Sequence, residues 1–258
     1  AGVEQADLLI AVTGSDEVNL LCCLIARKTG GCHTIARVRN PIYNLEINYI
    51  KEELGLSMVI NPEFAAAVEM SRLLKLPSAI TIDTFTKGRV EVVKYRVGED
   101  SVLCDQSLQQ IKSRLKSDIL ICTVERGEDV YIPGGNFIIR ARDEISIIGT
   151  PQKTLAFFKK LGAVVTSAKN VMIIGGGKTA YYLSKQLMDM GIQIKIIELN
   201  KTRCEELSEL LPKATIIQGD GTDRNLLMQE GLIQADAFVA MTSVDEENII
   251  LSLFAKSV

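Results

Sequence analysis

The chain has 258 residues, 47% of them hydrophobic, and a formal net charge of −3. That length suggests one to three domains at ~100–200 residues each, and the mild negative charge gives no footing for a nucleic-acid partner. No apolar run approaches the ~20 residues of a membrane span and no signal segment opens the chain, so we read it as soluble and intracellular. The single histidine, His33, excludes a histidine-based zinc cluster and leaves little for a Ser-His-Asp arrangement. Six cysteines, Cys22, Cys23, Cys32, Cys104, Cys122 and Cys204, contain no C-x-x-C pair and read as reduced, mostly buried thiols.

The first stretch, residues 2–26, recurs without a gap at 231–255. Identities include Ala6/Ala235, Asp7/Asp236, Thr13/Thr242, Asp16/Asp245 and Asn19/Asn248. Each copy reads as Ala-Asp, an apolar strand, a threonine at its end, acidic residues suited to a helix start, and an amphipathic helix. A run of strands and helices precedes the second copy and nothing precedes the first. The reading is a fragment of a longer duplicated protein whose first unit lacks its opening strands.

Residues 34–60 continue that first unit as strand, helix (42–55) and strand. Arg37 and Arg39 share a strand face, either as a polar edge or as phosphate contacts at the sheet's carboxyl end. Residues 63–77 form a helix stopped by Pro77, small and apolar on nearly every side, which suits packing on two faces and a second copy of the chain. From 78 to 161 the texture turns β-rich, with a "TKG" turn, a short helix opened by Ser107, turns at Gly127 and at Gly134-Gly135, and a closing helix. No catalytic constellation stands out in it.

Residues 170–258 alternate strand and helix throughout, which argues for a parallel doubly wound sheet. Its opening, "IIGGGKTAYYLSK" (173–185), overlays three motifs. A P-loop fails because the first glycine of G-x-x-x-x-G-K-[ST] would fall on Met172. The Y-x-x-x-K pair of short-chain dehydrogenases, Tyr181 and Lys185, sits on the helix directly after the glycine turn, too early in the unit; these residues point to packing and solvent.

The dinucleotide turn fits. Gly175 permits a tight turn, Gly176 and Gly177 let backbone approach a diphosphate, Ala180 allows close helix–strand contact, and Lys178 and Thr179 open the helix as further candidate nucleotide contacts. Lys178 contacts a phosphate or is merely solvated. Glu198 ends the second strand near the ~20-residue spacing of a ribose-binding carboxylate. Asp220, at the exit of the third strand, faces the adenine side. A degenerate unit that binds nothing is the competing reading.

The order of half a Rossmann unit, a β-rich module carrying "ERGEDVYIPGGNFIIRARDEISIIG", and a second Rossmann unit, together with "AVTGSDEVN", "AMTSVDEEN" and "IARVRNPIY", resembles the peripheral subunits of Trk-type potassium uptake systems, the TrkA family with RCK (KTN) domains and TrkA-C modules. The resemblance implies an α/β fold of doubly wound parallel, Rossmann-like sheets separated by a small α+β module. It divides the chain as 1–77, the end of a first RCK domain; 78–162, a TrkA-C module; and 163–258, a second, incomplete RCK domain.

It further implies a regulatory subunit rather than an enzyme, binding NAD(H) or ATP/ADP. The subunit would be cytoplasmic, peripheral on the inner face of the plasma membrane, and would gate an integral membrane potassium-translocating subunit. The expected assembly is a homo-oligomer, a dimer or tetrameric ring, packed through 43–77 or, in another version, by exchange of the first-unit remnant between chains. The nucleotide residues carried over are Thr13, Asp16 and Arg37 in the first unit and Gly175, Gly177, Glu198, Asp220 and Thr242 in the second. An NAD-dependent oxidoreductase is the alternative function.

Overall fold

The computed structural model describes residues 2–75, 79–86, 88–162 and 168–258. Contacts divide the chain into two units, Ala1–Met70 together with Lys169–Val258, and Ser71–Ala168. The expected boundaries at 77 and 163, the helix stop at Pro77 and Lys87 of the "TKG" turn lie outside the described residues.

The chain enters on β1 (Leu8–Ala11), α1 (Asp16–Gly30) and β2 (His33–Arg37). Ser15 caps α1 by accepting the Val18 amide, acids fill the first turn, and Gly31 closes the helix at a φ of 66°. The helix expected over 42–55 is two pieces, α2 (Pro41–Leu45) and α3 (Ile47–Glu53). The break is a tight turn in which the Glu46 amide bonds the Tyr43 carbonyl. β3 (Met58–Ile60) then pairs β2 in parallel, giving a sheet ordered β1-β2-β3. Arg39 lies beyond the end of β2, so the shared strand face expected for Arg37 and Arg39 is replaced by two separate reaches back over the 13–14 turn. Ala11, Cys23, Ala36, Val38 and Leu56 form the buried core of this piece. α4 (Pro62–Lys75) follows, with Asn61 accepting the Phe64 amide at its start.

The unit Ser71–Ala168 holds an antiparallel sheet of β4 (Ala79–Phe85), β5 (Val90–Arg96), β6 (Leu120–Arg126), β7 (Asp129–Tyr131) and β8 (Glu144–Gly149), ordered β4-β5-β8-β6-β7. Two helices complete it. α5 (Leu108–Leu115) opens with a capping box in which Ser107 and Gln110 exchange side-chain and backbone bonds. α6 (Pro151–Lys160) opens with Thr150 as cap and proline in its first turn. Phe157 and Phe158 of α6 are fully buried against Val93, Tyr95, Ile145 and Ile147. Asp143, 1% exposed, accepts both Arg126 nitrogens at 2.8 Å and the Arg140 amide at 2.8 Å.

The remaining piece alternates β9 (Asn170–Ile174), α7 (Lys178–Asp189), β10 (Gln193–Glu198), α8 (Lys201–Leu210), β11 (Thr215–Gln218), α9 (Arg224–Gln229), β12 (Ala237–Ala240) and α10 (Asp245–Ser257). All pairings are parallel, in the order β11-β10-β9-β12. This is the doubly wound arrangement the alternating pattern predicts, because parallel neighbours need a crossover helix.

β1 and β12 occupy equivalent repeat positions. In each copy the threonine amide donates 2.7 Å to an asparagine six residues on, Thr13 to Asn19 and Thr242 to Asn248, and the asparagine returns a bond to the threonine carbonyl. The equivalence also bears on strand exchange. β2 is flanked by β1 and β3, so as folded it has no free edge to offer β12 of another chain.

Candidate functional site

The glycine turn leaves the middle of the second parallel sheet, between β9 and α7. Gly175 takes a φ of 94°, and a Cβ there would lie 2.5 Å from the Met241 carbonyl oxygen. A Cβ on Gly176 would meet Leu207 at 2.5 Å and the Glu198 carboxylate at 3.0 Å. Both glycines are therefore required by packing. Gly177 differs: a Cβ added there meets nothing within 4 Å. Its missing side chain opens space instead of relieving a clash.

That space belongs to a cleft of about 460 Å³ over the carboxyl ends of the strands, lined by the glycine turn, Glu198, Leu199, Asp220, Gly221, Thr222, Thr242, Ser243 and Glu247. This is where open α/β sheets bind ligands, and the size lies within the ~300–1,000 Å³ of ordinary small-molecule sites. Of the sequence-predicted residues, Gly175, Gly176, Gly177, Glu198, Asp220 and Thr242 meet around it.

Two helices point their starts at this cleft. α7 begins at Gly177 and α10 at Val244, both without a side-chain cap, whereas α1, α5, α6 and α8 are capped by Ser15, Ser107, Thr150 and Asn200. Backbone N–H groups in the first turn of a helix have no partner within the helix. At α7 they face open space beside a glycine, which suits an anionic diphosphate. Among the described lining residues there is no lysine or arginine, so the groups this cleft offers to an anion are backbone amides and the helix terminus.

Glu198 is committed on both oxygens. One accepts the Gly176 amide at 2.6 Å and the other the Asn200 amide at 2.7 Å. Arg203 of α8 braces the same turn from behind, donating 2.7 Å to the Gly176 carbonyl. Each carboxylate oxygen has a second lone pair, so Glu198 remains competent to accept ribose hydroxyls while holding the turn. Asp220 accepts the Thr222 amide at 2.8 Å and its hydroxyl at 2.7 Å; these bonds hold its carboxyl below the usual range, keeping it an anionic acceptor.

Lys178 and Thr179 open α7 but do not line the cleft. Lys178 is exposed, and its charge is a minor contributor to the lowered pKa of Glu17 in the first piece. Glu17 sits at about 2, chiefly through the Ser15 hydroxyl, with the Tyr43 hydroxyl at 2.9 Å as a further partner.

Thr13, Asp16 and Arg37 form a separate network at the carboxyl end of β1 and β2. Arg37 donates 2.7 Å to the Thr13 carbonyl, and the Asn19 amide group bridges Thr13 and the Arg37 carbonyl. Asp16, 5% exposed, accepts the Arg39 and Asn40 amides at 2.8 and 2.7 Å.

Tyr181 is buried and Lys185 exposed, in keeping with their reading as packing and solvent. The sequence reading missed the asparagines of the two threonine clasps, although their identity at 19 and 248 was in the repeat. It also missed Tyr182, which no local motif marks.

A parallel doubly wound sheet, with a glycine turn on an inner strand and a cleft over its carboxyl edge, defines a Rossmann-type domain. The TrkA-N domain model matches residues 1–62 and 171–258 and the TrkA-C domain model residues 92–162. The chain belongs to the TrkA family. It is 35% identical over 98% of its length to Trk system potassium uptake protein trkA homolog 1 of Methanosarcina mazei, and 36% identical over 100% to the TrkA homolog of Archaeoglobus fulgidus. It spans 64% and 58% of those two relatives.

Among solved structures, the GsuK channel superposes with a TM-score of 0.66 at 17% identity, over 98% of this chain and 44% of that one. The GsuK RCK domain gives 0.65 at 19%, over 99% and 53%. At these identities the likeness concerns the fold. No described helix is long and apolar enough to cross a membrane.

Proposed function

We propose that this chain is a nucleotide-sensing regulatory module that binds NAD(H) or ATP/ADP in the cleft at Gly175–Gly177 and controls a membrane potassium-translocating partner from its cytoplasmic side. The observation that carries the nucleotide reading is the open Gly177 beside the uncapped start of α7, with Glu198 in register at the end of the next strand. Gly176 and Gly177 admit the diphosphate, the first-turn amides of α7 hold it, Glu198 takes the ribose hydroxyls, and Asp220 and Thr242 border the remainder.

Regulation needs only a ligand that binds one shape of the assembly better than another; it needs no chemistry. The names of the relatives, Trk system potassium uptake proteins, support the potassium partner, and a solved GsuK channel of this fold is bound to NAD. The division into a first RCK remainder (1–77), a TrkA-C module (78–162) and a second RCK domain (163–258) is part of this proposal. So is a first-unit nucleotide contact through Thr13, Asp16 and Arg37.

An NAD-dependent oxidoreductase is less well supported. It needs a proton donor beside the nicotinamide, and the described cleft lining carries carboxylates and hydroxyls but no histidine, lysine, cysteine or tyrosine. Calorimetric titration with NADH, NAD, ATP and ADP tests the proposal. Saturable binding that is lost in Gly177→Val supports it, and absence of binding by all four nucleotides overturns it.

A further inference from the structure

Tyr182 lies on α7, about 7 Å along the helix from Gly177 at ~1.5 Å per residue. It is 4% exposed, yet its partners are in the other Rossmann-type piece of the same unit. Its hydroxyl donates 3.0 Å to the Arg39 carbonyl and accepts 2.9 Å from the Asn61 side chain. The Phe64 ring meets it edge-on, with centroids 5.4 Å apart. Burial pushes the Tyr182 phenol up, so it stays a neutral donor.

The residue it holds is not a passive one. The Arg39 amide is fixed by Asp16 at 2.8 Å, and the Arg39 guanidinium donates to the Gly14 carbonyl at 2.8 Å. Asp16 and Gly14 belong to the turn that carries Thr13 and opens α1. A continuous path therefore runs from the cleft-facing start of α7 through Tyr182 to Arg39, Asp16 and the 13–16 turn. On this path Asp16 Oδ1 and Arg39 Nε, buried and without hydrogen-bond partners, form an ion pair at 3.7 Å.

From this path we infer that Tyr182 is a positioning residue that couples occupancy of the Gly175–Gly177 cleft to the 13–16 and 39–40 turns of the first piece. The inference rests on the nucleotide reading of the cleft. Ligand on the first-turn amides fixes the start of α7; the rigid helix carries that restraint to Tyr182, and its two bonds pass it on. The ring serves packing, while the hydroxyl serves the coupling.

Hydrogen exchange on the full chain with and without NADH tests it. In the unaltered protein NADH slows exchange at 176–181 and also at 38–43, the latter by about fivefold, the low end of ordinary coupling between sites. In Tyr182→Phe the protection at 176–181 persists and that at 38–43 disappears, with the unliganded exchange pattern elsewhere unchanged. Asn61→Ser, which leaves α7 untouched, weakens the remote protection in the same direction and decides the matter if Tyr182→Phe folds poorly. Remote protection that survives both substitutions overturns the coupling, as does cleft protection without any remote effect in the unaltered protein. Absence of protection at 176–181 overturns the nucleotide reading itself, and the coupling with it.

Discussion

The Glu198 carboxylate accepts the Gly176 amide at 2.6 Å, so the residue proposed to take the ribose also holds in shape the turn proposed to take the phosphates. Glu198→Ala therefore removes two things at once. We expect affinity for NAD and ATP alike to fall by about 1–3 kcal/mol, the cost of leaving buried partners unpaired, with a lower melting temperature in the absence of ligand. A 2′-phosphate beside this carboxylate is repelled, so NADP binds worse than NAD. Calorimetry and thermal denaturation check both effects; equal affinities for NAD and NADP count against the assignment.

Gly177 and Gly175 separate binding from folding. Gly177→Val puts a side chain into open space, so the fold is kept and nucleotide binding is lost. Gly175→Ala forces a Cβ to 2.5 Å from the Met241 carbonyl at a φ of 94°. We expect it to destabilise the unit by at least ~1–3 kcal/mol. Side-by-side denaturation curves and nucleotide titrations of the two variants give the test; a Gly177→Val protein that binds with unchanged affinity removes the cleft from consideration.

The threonine clasps rank by burial. Asn19 is fully buried and Asn248 half-buried, with the same bonds to the backbone of Thr13 and Thr242. Asn19→Ala leaves the Thr13 amide and the Arg37 carbonyl without their partner and costs roughly 1–3 kcal/mol. Asn248→Ala costs less, because water reaches its surroundings. Chemical denaturation of the two variants is expected to show that order.

Acid stability of the β-rich unit turns on Asp143. Burial works against its charge, but both Arg126 nitrogens and the Arg140 amide outweigh burial and hold its carboxyl below the usual range. A depressed carboxyl contributes stability that is full above the unfolded value of ~3.9 and is lost as pH falls through the folded value. Asp143→Asn is expected to destabilise at neutral pH by about 3 kcal/mol, since it leaves the Arg126 charge half-buried and unpaired. It also flattens the fall in stability below about pH 4. Urea denaturation from pH 7 to pH 2 measures both; an unchanged acid limb in the variant contradicts the role given to Asp143.

The edge strand β1 exposes Leu8 and Ile10, and α1 exposes Val18, Leu21 and Ile25 on the same piece. Unpaired edges and contiguous apolar faces favour association. We expect this chain to self-associate at micromolar concentration by light scattering, and charged substitutions at Ile10 and Leu21 to shift it toward monomer. A strict monomer before substitution refutes the expectation.

What the sequence determined by itself was everything that is local and periodic. Buried parallel strands write themselves as apolar runs, helix starts as Ser107 and the acidic residues at Asp16-Glu17, and the glycine turn as three residues after a strand. Hence the parallel sheets, the repeat of β1 and β12, and the glycine turn with Glu198 and Asp220 at the strand ends were legible; the TrkA family, and Thr242 as a further site residue, came from the resemblance. The pairing of Asn19 and Asn248 with their threonines was present as identity but carried no chemistry until the turn was folded.

Tertiary structure alone decided the rest, because it depends on atoms distant in the chain. Gly175 and Gly176 are required by Met241 and Leu207, whereas Gly177 is required by nothing in the protein; no spacing rule distinguishes them. Lys178 opens α7 exposed and outside the cleft lining, which its place beside the glycine turn did not reveal. Tyr182 gained its role from Arg39 and Asn61, residues with which it shares no sequence pattern, since a hydroxyl buried at a seam must find its partners wherever the fold brings them.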